Sequence, residues 1–200
     1  MATIPIYGDL LAKVATELTP ARLDHTKRVV EQARLLALRH LGDAAEAEIA
    51  AVLHDCARDL PPEAQLKHAA SFGIVVAEIE RANPAVLHAW IGAELAKREY
   101  GITSEPVLNA IRWHTTGHPG MTVLEKVIFL ADYTELGRRF SGVEQVRDTA
   151  LENLDDAMLL ALSQTIAYVV KRGLILHPIT VDARNYFLLK RQTADGSGCK

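Results

Sequence analysis

Apolar residues recur about every three or four positions along nearly the whole chain, and no stretch alternates apolar with polar residues as a half-buried strand would. The pattern therefore predicts an all-α protein with no β-sheet. Leu10, Leu11, Val14 and Leu18 form the first stripe, which ends at Thr19-Pro20. With Thr19 as N-cap and Pro20 in the first helical position, a second helix runs to about Leu41, where Gly42 closes it. Asp43 caps an alanine-rich helix that carries His54 and Asp55 and stops before Pro61-Pro62. A helix over about Glu63–Phe72 ends at Gly73, and a turn or two follows through Val75–Arg81. Pro84 opens a helix that contains His88 and reaches Tyr100, with Gly101 in the left-handed position past its end. Ser104, Glu105 and Pro106 start the next, which reaches His114 and breaks at T-T-G-H-P-G. Thr122 and Glu125 form a capping box for a helix that carries Asp132 to about Leu136. Val143–Asn153, Asp155–Lys171 and Pro178–Lys190 complete the series.

No repeat or linker divides these segments, so residues 1–190 read as a single helical domain and 191–200 as a C-terminal tail. Thr193–Lys200 has the composition of a mobile end. With 49% apolar residues in a chain of 200, a sizeable core is expected rather than disorder. The net charge of -3 comes without a basic stripe, which argues against nucleic acid as a partner. Cys56 and Cys199 give no disulfide framework, and the first residues have neither the basic region nor the long apolar run of a signal peptide. The most apolar segment, Ala157–Val170, is interrupted by Ser163, Gln164 and Thr165 and is too short to span a bilayer. These features predict a cytoplasmic protein with no membrane partner. The same segment either fills the core or meets a second copy of the chain as a homodimer.

The chemistry centres on His54-Asp55, a histidine beside an aspartate in an apolar segment, A-V-L-H-D-C-A-R-D-L. Imidazole and carboxylate are common ligands of divalent first-row metals, but two are too few. His25, His88 and His114 fall on or at the ends of other core helices and can add to the pair. His68 lies on a more polar helix. Each histidine taken alone is an ordinary core or surface residue; the combination is what points to a metal.

The order His25, His54-Asp55, His88, His114 and Asp132 resembles that of the HD-domain metal phosphohydrolases. Ala110–Met121 (A-I-R-W-H-T-T-G-H-P-G-M), Leu124–Arg138 (L-E-K-V-I-F-L-A-D-Y-T-E-L-G-R) and His177–Tyr186 (H-P-I-T-V-D-A-R-N-Y) resemble, more closely, the YqeK family of symmetrical diadenosine tetraphosphate hydrolases. That resemblance implies an all-α HD-domain fold and two divalent ions, iron first, with manganese, cobalt, nickel or zinc as substitutes. It implies that His25, His54, Asp55 and Asp132 hold one ion and that His88 and His114 hold the other, with Asp55 bridging. Two ions roughly 3.5–4 Å apart would lower the pKa of a shared water toward ~7 from ~15.7, so that a metal-activated hydroxide cleaves the tetraphosphate bridge at its middle, giving two ADP.

Substrate contacts follow with less support from the residues. Arg58, Arg138 and Arg28 are candidate phosphate clamps, with an ion pair to Asp59 or exposure to solvent as the plain alternative for Arg58. Thr115, Thr116 and Gly117 can offer hydroxyl and backbone donors. Tyr133, Asn185 and Tyr186 are candidates for base contacts, His118 for a general acid, and Glu94, Glu125 and Asp182 for orienting ligand imidazoles. Trp90 and Trp113 are assigned to packing. The chain departs from the family pattern at Arg58, His118, Thr134 and Leu136, none of them a candidate ligand. Two other functions fit the same residues: an HD-domain phosphohydrolase of another nucleotide, such as a nucleoside triphosphate or guanosine polyphosphate, and a catalytically silent module that binds a nucleotide. The G-Y-P element of the cyclic-dinucleotide branch is absent.

Overall fold

The computed structural model describes residues 7–41, 43–194 and 196, and among these residues it is helical without a strand. The helices are α1 (Tyr7–Val14), α2 (Pro20–His40), α3 (Ala45–Leu53), α4 (Pro62–Ser71), α5 (Glu78–Ala82), α6 (Leu87–Arg98), α7 (Glu105–Trp113), α8 (Val123–Thr134), α9 (Val143–Glu152), α10 (Leu154–Lys171) and α11 (Pro178–Ala194). A single 3₁₀ turn, Pro84–Val86, precedes α6 where a helical start was expected. The expected closure at Gly42, the N-terminal stretch, Cys199 and most of the tail lie outside the described residues.

The capping residues act as their chemistry dictates. Thr19 accepts from the Arg22 backbone N–H with Pro20 behind it, Ser104 accepts from Val107, and Thr122 and Glu125 satisfy each other's backbone donors at the start of α8. Asp43 accepts from the Ala45 N–H at 3.0 Å. Asn153 caps α10 by accepting from Asp155 and Asp156.

Three boundaries differ from the expectation. The α-helical ladder of α3 ends at Leu53, so His54 and Asp55 lie in a tighter turn, with Cys56 N–H bonded to Leu53 O and Arg58 N–H to Asp55 O, rather than inside a helix that continues toward Pro61. Helix α8 stops at Thr134 because Glu135 turns to an extended backbone (φ -51°, ψ 152°). The buried guanidinium of Arg147 takes up the carbonyls freed there, donating to Thr134 O, Glu135 O and Arg138 O at 2.6, 2.8 and 3.0 Å. Helix α11 continues through Arg191–Ala194, residues expected to belong to a tail.

Helices α2, α3, α7 and α8 pack against one another around a core that includes Val29, Leu36, Leu53, Ile111, Ile128 and Leu130, and α6 lies along α7. Helix α10 packs against α8, α9 and α11. The apolar face of α10 at Ala157, Met158, Ala161 and Leu162 is buried within the chain. No helix among the described residues is long and apolar enough to cross a membrane.

Candidate metal centre

Five elements deliver six side chains to one place. His25 comes from the first turns of α2, His54 and Asp55 from the turn after α3, His88 from the start of α6, His114 from the cap after α7 and Asp132 from the last turn of α8. They form three overlapping groups, His25–His54–Asp55, His54–His114–Asp132 and Asp55–His88–His114, each with its donor atoms within 4.8 Å of one another. Asp55 lies between two sets. Its Oδ1 is 3.1 Å from His88 Nε2 and 3.6 Å from His114 Nε2, and its Oδ2 is 3.5 Å from His54 Nε2 and 3.7 Å from His25 Nε2. Asp132 Oδ1 lies 3.1 Å from His25 Nε2.

The backbone decides which imidazole nitrogen is free. Nδ1 of His54, His88 and His114 lies 2.7, 2.6 and 2.7 Å from the carbonyls of Ala51, Ala85 and Ile111, each three residues back in its own chain. A carbonyl can only accept, so each Nδ1 donates and each neutral ring presents a lone pair at Nε2. His88 Nε2 and His114 Nε2 are 3.1 Å apart, where two lone pairs repel unless a proton or another cation lies between them. His25 Nε2 and His54 Nε2 are buried without a hydrogen-bond partner. Buried, pre-oriented, unsatisfied nitrogens beside carboxylates fit a divalent metal, since bonds of about 2.1 Å to one ion place neighbouring ligand atoms about 3–3.5 Å apart.

The charges are arranged for the same purpose. Burial opposes ionisation of Asp55, but His54, His114 and His88 outweigh it and hold the carboxyl well below its ordinary range. Asp132 is likewise held down against its burial, by His25, His54 and Arg138. For His54 burial is outweighed by Asp55, Asp132 and the Ala51 carbonyl, and the imidazole is raised to about 8. His88 goes the other way: burial, helped by His114 and Arg58, overcomes the pull of Asp55 and favours the neutral ring. Both carboxylates are thus ionised, and the donor set is that of a cation site.

A model of the HD domain matches residues 22–137, a span that contains all six clustered residues. The chain belongs to the HD-domain family. The curated "Bis(5'-nucleosyl)-tetraphosphatase, symmetrical" of Bacillus subtilis (strain 168) is 39% identical over 180 residues, covering 90% of this chain and 96% of that protein. Its counterpart of the same name in Halalkalibacterium halodurans is 38% identical over 185 residues, covering 92% and 98%. The Staphylococcus aureus protein of that name is 35% identical over 180 residues, covering 88% and 91%. A crystal structure from Clostridium acetobutylicum, described as a "predicted HD superfamily hydrolase involved in NAD metabolism", superposes with a TM-score of 0.90 at 38% identity, covering 94% of this chain and all of that one.

Around the centre of this HD domain the other expected residues separate. Thr115 reaches it, its hydroxyl 3.4 Å from His88 Nε2 and 3.3 Å from His114 Nε2. Arg138 donates from Nη2 to Asp132 Oδ1 at 2.6 Å. Arg58 is half-buried near His88, and the ion pair with Asp59 does not form, because Asp59 is engaged by Thr19 and Arg22. Arg28 is turned away onto Glu135 at 2.5 Å. The Thr116 hydroxyl bonds to Gly117 O and the Gly117 N–H to Trp113 O, so these two donors are already spent. His118 misses the cluster, with Nδ1 on Pro119 O, Nε2 3.3 Å from Glu125 Oε2 and its ring against Trp113. Asn185 and Tyr186 are exposed on α11, paired with Arg184 and Phe187.

None of Glu94, Glu125 and Asp182 meets a ligand imidazole. Glu94 pairs with Arg98, Glu125 closes its capping box, and Asp182 is exposed. Backbone carbonyls do the orienting instead, with Glu135, whose Oε1 lies 3.4 Å from His25 Nδ1. Glu135 is 2% exposed, and its own carboxyl is held low against burial by Arg28, the Gly137 N–H and His25. Arg22 was the other omission: its Nη1 sits 2.7 Å from Asp55 Oδ2. An acidic residue one turn past Asp132, and an arginine one turn before His25, were the available signals.

Proposed function

We propose that this chain is a metal-dependent hydrolase that cleaves diadenosine tetraphosphate symmetrically into two ADP. The curated relatives of that name span nearly their whole length on this chain. The observation that carries the reading is Asp55, whose two oxygens address different pairs of imidazoles, His88 and His114 on one side, His25 and His54 on the other. In this reading Asp55, His25, His54 and Asp132 would hold one divalent ion, and Asp55 with His88 and His114 a second. Mixed imidazole and carboxylate ligation suits iron, and also admits manganese, cobalt, nickel or zinc. The bound ions supply a water of lowered pKa as nucleophile and positive charge to a phosphoryl oxygen.

The chain's own residues do the rest. Arg22 on Asp55, Arg138 on Asp132 and Arg58 near His88 bring guanidinium groups suited to paired phosphate oxygens to the centre, and Thr115 offers a hydroxyl on the His88–His114 side. The Nδ1 bonds keep the Nε2 lone pairs aimed inward, and burial keeps bulk water from screening the charges. The leaving ADP is a weak base, so the reaction does not require a side chain to protonate it, in keeping with the position of His118. The reading places the enzyme in the cytoplasm, with a free nucleotide rather than nucleic acid as substrate.

Metal-loaded protein incubated with diadenosine tetraphosphate tests the proposal by product analysis. Two ADP per substrate is the expected result. AMP with ATP would overturn symmetrical cleavage, and turnover of a nucleoside triphosphate in preference to the dinucleotide would favour another HD-domain hydrolase.

A further inference from the structure

Arg147, on α9, is only 8% exposed and spends its guanidinium on the chain that leaves α8. We propose that it is a positioning residue for the metal centre, one that sets the affinity of the ion held by His25, His54, Asp55 and Asp132 and leaves the ion beside His88 and His114 unchanged. The proposal rests on the two-ion hydrolase reading and adds a residue outside the ligand set that acts on one ion of the two.

The link runs through two backbone carbonyls. Arg147 Nη2 donates to Glu135 O at 2.8 Å and to Arg138 O at 3.0 Å, while its Nε donates to Thr134 O at 2.6 Å. The side chains of the same two residues reach the centre. Glu135 Oε1 lies 3.4 Å from His25 Nδ1, and Arg138 Nη2 donates to Asp132 Oδ1 at 2.6 Å. One guanidinium therefore fixes the main chain of the residue behind His25 and of the residue on Asp132. Both contacts fall on the same side of Asp55. His88 and His114 are oriented instead by the carbonyls of Ala85 and Ile111, at 2.6 and 2.7 Å, which bond to Nδ1 of each ring without Arg147.

Closing a helix end does not by itself call for this residue. Leu136 and Gly137 are exposed, so water could satisfy carbonyls at that end, whereas burying a cation there is costly. The carboxylate paired with Arg147, that of Glu144, is 72% exposed, and the other bonds go to uncharged carbonyls. What a planar fork adds over water or an ammonium group is a fixed spacing between three acceptors. Gly137 shows how little slack the loop has. Its N–H donates to Glu135 Oε2 at 2.5 Å, and a Cβ there would stand 2.8 Å from that oxygen and 2.7 Å from Arg28 Nε. With Arg147 on the carbonyls and the Glu135 carboxylate folded against Gly137, a shift of the loop is carried to His25.

Manganese titration of the stripped full chain, with free manganese read by its paramagnetic resonance, tests the proposal in Arg147→Gln, Arg147→Lys and Gly137→Ala. Arg147→Gln is expected to weaken one of two binding steps by about 10- to 100-fold and to leave the other within about threefold of wild type. Arg147→Lys keeps the charge without the fork and should show a smaller loss of the same step, which keeps the test open should Arg147→Gln fail to fold. Gly137→Ala crowds Glu135 from the exposed side of the loop and should weaken that step too. His177→Ala breaks a pair with Glu80 instead, and as the stability control it should bind both ions as wild type does. In crystals grown at limiting manganese, the anomalous peak among His25, His54 and Asp132 should fall in Arg147→Lys relative to the peak beside His88 and His114. Both steps unchanged, both weakened alike, or an equal loss in His177→Ala would overturn the role of Arg147 and leave the hydrolase reading standing. A wild type that takes up one ion would overturn the two-ion reading first, and the claim that Arg147 acts on one ion of two with it.

Discussion

Arg22 lays Nη1 on Oδ2 of Asp55 at 2.7 Å, a side-chain cation resting on the carboxylate proposed to bridge two metal ions. Without metal the guanidinium shares the buried charge of Asp55 with the imidazoles of His54, His114 and His88. Arg22→Gln should therefore lower the stability of the metal-free protein by about 1.5–3 kcal/mol, or about 3–12 °C in Tm for a chain of this size. The manganese-loaded forms should differ by less than half as much, because the ions then neutralise Asp55. Thermal melts with and without manganese check this; equal deficits in the two forms would contradict it.

Asp55→Ala removes the one residue that faces both imidazole pairs. Turnover should fall by at least about a thousandfold, and metal content per chain should drop, with the helical circular dichroism largely kept. Retained turnover would exclude the bridging role.

Glu135 acts through His25, so its loss should show in metal affinity before it shows in chemistry. Glu135→Gln is expected to weaken metal binding and activity at limiting metal by about 10- to 100-fold, and excess metal should recover most of kcat. A kcat deficit that no metal concentration repairs would argue against a positioning role.

The six ligand candidates were legible as a set because the order His25, His54-Asp55, His88, His114 and Asp132 resembles that of the HD-domain phosphohydrolases, although no one of them stands out alone. The helix limits were legible where a cap carries them, as at Thr19, Ser104 and Thr122. What the sequence could not show depends on separations that only folding closes. Glu135 meets His25 across 110 positions and Arg22 meets Asp55 across 33. Periodicity carried the α3 helix through His54 and Asp55, whereas the chain tightens there into a turn, which an apolar run such as A-V-L-H-D-C-A does not announce. Asn185 and Tyr186 stand exposed on α11, a placement that the motif H-P-I-T-V-D-A-R-N-Y does not announce.

His177 illustrates that difference and gives another prediction. Its Nε2 pairs with Glu80 Oε1 at 2.9 Å and its ring meets Trp90 at 6.0 Å, tying the start of α11 to α5 and α6. His177→Ala leaves Glu80 buried without that partner and should cost about 1–3 kcal/mol, while kcat changes less than about threefold in a protein kept below its Tm. A loss of kcat equal to that of Asp55→Ala would mean the catalytic site extends to α11.

Asp155 supplies the pH dependence. Against a partial burial that favours protonation, Lys126 at 2.7 Å and Lys190 at 2.6 Å lower its pKa in the folded state. A folded-state pKa below the unfolded value of about 3.9 means that the ionised group stabilises the fold above that pH, and that the contribution is lost as pH falls toward the folded-state value. Asp155→Asn should thus melt below wild type at pH 7, with the gap closing below about pH 4. A gap that is constant from pH 7 to pH 3 would rule out this ion pair as its source.

The central claim is that Asp55 stands between two cations. Anomalous diffraction from crystals grown with iron or manganese measures it directly: two peaks are predicted, one among His25, His54 and Asp132 and one beside His88 and His114, with Asp55 between them. A single peak, or none at these residues under metal concentrations that support turnover, would contradict the claim.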